Sequence, residues 1–136
     1  MGRILHAARP SDWDAARASG LYDVSTLGRS LAEEGFIHAS TAGQLPGVLT
    51  AFYGALDEVV LLVLDVAALE ASGAPVRWDD VPGAPGPFPH VYGAIPASVV
   101  GQRFPVVAAI PVRRESGGGW PLPDLTSYDV VSGPGA

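Results

Sequence analysis

Three histidines punctuate the chain, each at the polar end of a short apolar run: His6 in RILHAA, His38 in GFIHAST and His90 in PFPHVYGAIP. Imidazole ordinarily titrates near neutral pH, so such residues can exchange protons, hold a ligand oxygen or bind a metal. The three runs are expected to bring one polar cluster together as the working site, with His38, His90 and His6 as its candidate catalytic groups. GFIHAST compresses a chain reversal, a short strand and a helix start into seven residues. Ser40 shares a strand face with His38, and Thr41-Ala42-Gly43-Gln44 reads as a capping box that opens a helix. The free N–H groups and positive dipole end of that helix would suit a phosphate or carboxylate, which makes Ser40 and Thr41 candidate ligand contacts.

The other candidate ligand groups are Tyr92, whose phenol can donate; Arg77, which can pair with a phosphate; and Trp13, which can wall a pocket or stack on a base. Each candidate has a structural alternative. His38 can be a core histidine bonded to a backbone carbonyl and Ser40, and His6 a satisfied strand-end group. Tyr92 can cover a sheet edge, Arg77 can be solvated, and Trp13 and Trp78 can be core. Asp65 reads as a cap or turn residue, and Asp79-Asp80 and Glu33-Glu34 as solvated charges. Three histidines from separate strands match the ligand set of some zinc hydrolases. Against that stands the absence of any tightly spaced helical zinc motif. There is no GxSxG elbow to support a serine hydrolase.

The elements that must position these groups are short. A chain of 136 residues with 17 glycines and 13 prolines implies one domain with many turns. Apolar residues make up 48%, enough for a real core, whereas charged residues reach only 16%. The net charge of −6 argues against binding a nucleic-acid backbone but leaves room for a single phosphate held by one or two arginines. Without cysteine, disulfides, thiolate metal sites and thiol nucleophiles are excluded. MGRILHAARP lacks the apolar stretch of a signal peptide, and the run Val59 to Leu64 is too short to span a bilayer. These features give the expectation of a soluble cytoplasmic protein without a membrane partner.

In chain order, a first strand is expected over residues 3–8 and a helix capped by Ser11 and closed by Gly20. A loop follows over 21–29, then a helical turn at 30–34 and a second strand over 36–40. Leu45, Val48, Leu49 and Phe52 recur at helical spacing. Val59 to Leu64 reads as a central strand buried on both faces, and residues 76–78 as a short strand. The proline-rich segment 82–89 reads as loop, 88–92 as a brief extended piece and 95–100 as a helical turn. The last strand falls over 103–112, confined to an edge by Pro105 and Pro111. From Glu115 onward the composition suggests a flexible tail that docks Trp120 or Tyr128. The mixture gives an α+β domain over 1–114 and a Gly/Pro-rich tail over 115–136.

In order along the chain, ILHAARPSDWDAARASG, LAEEGFIHASTAGQLPGVLTAFY, VVLLVLDVAAL, VRWDD and FPHVYGAIP resemble the bacterial DUF952 family, over roughly residues 3–112. The resemblance implies a compact split β-sheet with a few short flanking helices, similar to the ADP-ribosyltransferase superfamily. In that superfamily a first-strand histidine holds the ribose of NAD, the place that His6 resembles, and His38 and Ser40 lie in the comparable second-strand stretch. The superfamily's catalytic glutamate has no clear counterpart, and His90 and Tyr92 occupy the third motif instead. The resemblance thus implies a nucleotide-type transferase, active or degenerate, with a small-molecule ligand and NAD or a related nucleotide as the admissible cofactor. A non-catalytic binding or accessory protein and a three-histidine metal enzyme stay open beside it, and the oligomeric state is not legible.

Overall fold

The structure, a computed structural model, describes residues 2–134. Residue 1 of the expected domain and residues 135 and 136 of the expected tail lie outside the described residues. The chain is α+β, built from several small antiparallel sheets and few helices.

The centre is β6 (Glu58–Asp65), flanked by β1 (Arg3–Ala8) and β10 (Val106–Arg113), both antiparallel to it. Its run of Val and Leu is buried on both faces because side chains alternate across a strand and each face has its own core. Val60, Leu62 and Leu64 join Ile4, Ala8, Trp13, Tyr22, Ile37 and Val91 on one side. Val59, Leu61 and Val63 join Leu5, Leu45, Leu49, Tyr53 and Val107 on the other. As expected, β10 lies at the sheet edge, where Pro111 costs no ladder bond to a further strand.

A second sheet has the order β5 (Ile37–His38), β8 (Phe88–Val91), β7 (Val76–Asp79), all antiparallel. It is tied to the first by two main-chain bonds: Leu5 N–H to the Ser40 carbonyl at 2.9 Å, and Ser40 N–H to the Leu5 carbonyl at 2.8 Å. This junction sets the His6 and His38 strands side by side.

Helix α1 (Pro10–Ser19) starts one residue before the expected cap. Its N-cap is Arg9, whose side chain caps no backbone N–H but donates to Asp12, and Pro10 supplies the preset φ of a first helical residue. Gly20 closes it at φ 94°, returning its N–H to Ala16. The expected loop over 21–29 instead carries β2 (Leu21–Tyr22), β3 (Val24–Thr26) and the start of β4 (Arg29–Ser30). These pieces are too short to display a period, so pairing elsewhere in the chain decides them. Ser30 caps α2 (Leu31–Glu34) in a capping box with Glu33.

The turn after β5 forms the expected box: Thr41 Oγ1 accepts from Gln44 N–H, and Gln44 Oε1 accepts from Thr41 N–H. Helix α3 (Leu45–Phe52) follows one residue later. Asp65 caps α4 (Val66–Ala71) and also receives Arg3 at 2.8 Å. Residues 95–100 are not a helical turn: Ile95 and Pro96 form β9, which pairs with β2. Backbone bonding to Leu21 and Tyr22 there replaces the bonds of an isolated turn.

The C-terminal segment packs on the second core through Trp120, Leu122, Leu125, Tyr128 and Val130. Arg3 bonds the carbonyls of Asp129 and Tyr128, and Val131 N–H returns to the Arg3 carbonyl.

Candidate functional site

His6 points from β1 into the first core and is almost wholly buried. Its Nδ1 lies 2.5 Å from the His38 carbonyl and its Nε2 2.7 Å from the Tyr22 hydroxyl. A carbonyl can only accept, so Nδ1 carries the proton and Nε2 accepts from Tyr22. Burial, the dominant influence, pulls the His6 pKa down to about 4, keeping the ring neutral at physiological pH. Burial likewise pushes the Tyr22 phenol well above its ordinary range, so it remains a donor.

His38 stands where two environments meet, with its side chain about one third exposed (31%). On one side it lines a cavity of about 60 Å³. The walls are mainly apolar: Leu5 and Ala7 from β1, Val48, Phe52 and Tyr53 from α3 and its end, and Val81 and Phe88 beyond. His6, Ser40 and Thr26 add the polar atoms. The Tyr53 hydroxyl donates to the Ala7 carbonyl at 2.8 Å and fixes the α3 wall against β1. Gln44 Nε2 donates to the Pro87 carbonyl at 2.8 Å and ties the proline-rich 82–89 loop to the helix start.

On its other side His38 meets His90, its direct antiparallel partner across β5 and β8. The ring centroids are 4.8 Å apart, edge to face. Partial burial first, and then the neighbouring His90, lower the His38 pKa, while Glu34, 4.0 Å from Nε2, acts in the opposite direction.

His90 is buried, with Phe36 stacked flat upon it at a centroid separation of 4.0 Å. Its Nδ1 lies 2.8 Å from Asp79 Oδ2, which also receives the Tyr92 hydroxyl. The bonds from Tyr92 and His90 hold the Asp79 carboxyl below the usual range, so it is ionised and Nδ1 must be the donor. In the neutral ring Nε2 is then the bare lone pair, and this atom is buried without a hydrogen-bond partner. Arg77, opposite His90 on β7, carries its guanidinium 5.1 Å from the Tyr92 ring centroid.

The candidate residues therefore fall into two adjoining groups. His6, His38 and Ser40 border the cavity; His38, His90, Tyr92 and Arg77 share the polar, aromatic face of the second sheet. Thr41 is buried and committed to its capping box. Trp13 lies in the first core, 6.4 Å from the Tyr22 ring centroid, with Arg17 over it. Phe36 and Tyr22 are not singled out by the sequence, and Asp79, expected as a solvated charge, is about one third exposed (35%) but accepts from His90 and Tyr92. Asp79 was accessible in principle: it lies two residues after Arg77, on the same strand face. Among the described residues no three His, Asp or Glu side chains are grouped to hold a metal ion, and no helix is long and apolar enough to cross a membrane.

Residues 7–103 match the sequence model of the family described as "Protein of unknown function (DUF952)". The chain belongs to the DUF952 family. All three histidine motifs of the site fall in or beside the matched stretch, with His6 just ahead of it. The X-ray crystal structure of protein CC0527 from Caulobacter crescentus is similar to this DUF952 chain with a TM-score of 0.69 and 23% identity. The match covers 92% of this chain and 96% of that one. A double-methionine variant of CC0527 gives the same TM-score at 22% identity. At these identities the likeness is one of fold. No curated protein matches.

Proposed function

We propose that this DUF952 protein binds a nucleotide or similar phosphorylated small molecule in an ADP-ribosyltransferase-like pocket at His38, and acts on it as a transferase-type enzyme. The observation that carries the reading is the position of His38, a partly exposed imidazole between an apolar cavity and the buried His90, which is paired with a partly exposed Asp79. Leu5, Ala7, Val48, Phe52 and Phe88 give an apolar wall against which a planar ring such as a base can rest, the enclosed space of about 60 Å³ being too small to take it in whole. Arg77 and His38 offer cationic or hydrogen-bonding groups for an anionic substituent. The overall charge of −6 favours a ligand with few phosphates over a polyanion.

His38 is the acid–base group in this reading, because a neutral imidazole near the ligand can accept or return a proton. His6 supports it from behind: both ring nitrogens are engaged, and one holds the His38 main chain. The same engagement disfavours a three-histidine metal centre, since His6 has no lone pair left for a cation.

Calorimetric titration with AMP, ADP-ribose and NAD tests the reading. Saturable binding that His38→Ala weakens at least tenfold is the expected result. Absence of binding by all three, or full retention by His38→Ala, would overturn it.

A further inference from the structure

We propose that Asp79, Tyr92 and His90 form a preset hydrogen-bond acceptor, covered by Phe36, that serves a hydroxyl group of the ligand docked at His38. The choice of ligand rests on the pocket reading above, whereas the acceptor itself is a property of the protein alone.

Four observations carry it. His90 Nδ1 is 2.8 Å from an ionised Asp79 carboxylate, which fixes the ring tautomer. Tyr92 donates to the same carboxylate oxygen and positions it. The opposite nitrogen, Nε2, is buried with no partner, a costly state for a polar atom in a core. And the neighbours of the His90 ring are other site residues: the half-buried Phe36 stacked on its face at a centroid separation of 4.0 Å and the His38 ring edge-on at 4.8 Å.

A purely structural histidine at this location would have both nitrogens bonded, as His6 does. His90 instead has one nitrogen braced and one held dry and unpartnered. A ligand O–H that reaches Nε2 in the plane of the ring, beside the Phe36 that stacks on its face, donates a hydrogen bond there. The Nδ1–H bond to the Asp79 carboxylate polarises the ring and strengthens Nε2 as an acceptor. His90 is thus the second acceptor of the site, with Asp79 and Tyr92 as positioning residues. The ligand class it fits is a hydroxyl-bearing molecule, such as one carrying a ribose.

The test needs no ligand. Nitrogen-15 NMR of the intact wild-type protein reads the tautomer: His90 is expected with Nδ1 protonated and Nε2 bare, and a protonated Nε2 would overturn the proposal. Diethyl pyrocarbonate, which acylates unprotonated imidazole nitrogen, then reads access by peptide mass mapping. His90 is expected to react slowly in the wild type and at least tenfold faster in Phe36→Ala, with His6 still protected. If His90 in Phe36→Ala stays as unreactive as His6, Nε2 does not open to the site and the proposal falls. Should Phe36→Ala not fold, Phe36→Val is the substitute, with the same criterion at threefold. Failure of every nucleotide to bind would defeat the pocket reading while leaving both results intact.

Discussion

His6 Nδ1 donates to the main-chain carbonyl of His38 across the junction of the two sheets, at 2.5 Å. One histidine of the trio is thereby a fastener for another. The Leu5–Ser40 bridge joins the same strands, so the His38 side chain projects from a backbone held at two neighbouring points.

Replacing His6 by alanine is expected to cost about 3 kcal/mol, because it leaves the His38 carbonyl and Tyr22 hydroxyl unpaired in the core and opens a cavity. Tyr22→Phe removes one partner only and should cost about 1–2 kcal/mol. Urea denaturation checks both. A His6→Ala variant as stable as wild type would contradict the fastening role.

Acid should weaken the fold through this same residue. His6 has its folded pKa depressed by burial to about 4 from the ordinary value of 6.5. Between those values the unfolded chain takes up a proton that the folded chain refuses, so stability falls as the pH is lowered. The loss is expected to begin near pH 6.5, to be complete near pH 4 and to total ~3 kcal/mol. The lowered pKa of His38 adds in the same direction. Asp79 contributes at lower pH, where protonation of its depressed carboxyl removes its bonds to His90 and Tyr92. Denaturant melts across pH 4–7 measure the slope, and His6→Asn should flatten it.

The C-terminal segment offers a separate test. A Cβ on Gly2 would stand 2.5 Å from Val131 Cγ1 and 2.8 Å from the Asp129 carbonyl oxygen. Gly2→Ala is expected to displace the segment from Arg3, costing about 1–3 kcal/mol and speeding limited proteolysis between residues 115 and 134. An unchanged cleavage rate would show that the segment does not depend on this contact.

Much of this arrangement is legible where a pattern is long or chemically specific. The Val59 to Leu64 run marks the central strand, and Thr41 with Gln44 announces its capping box. The three histidine runs converge as two adjoining groups. Short paired pieces such as Leu21–Tyr22 with Ile95–Pro96 are hidden, since two residues carry no period and their bonding is decided by distant chain. Distinguishing His6 from His90 was equally out of reach. Both are buried strand histidines, and only the third dimension reveals that Tyr22 satisfies one ring while the far nitrogen of the other is left bare. Asp79 shows the same limit: the sequence DD looks like two solvated charges, and the first carboxylate does stay partly exposed, yet it also accepts from His90 and Tyr92.

Histidine-selective NMR of the wild-type protein during titration with ADP-ribose, and in parallel with AMP, NAD and inorganic phosphate, tests the central claim most directly. His38 resonances should move saturably with a nucleotide, His90 should follow because its ring abuts His38, and His6 should stay nearly still. A panel in which no ligand moves His38, or in which His6 shifts while His38 does not, would contradict the assignment of the site.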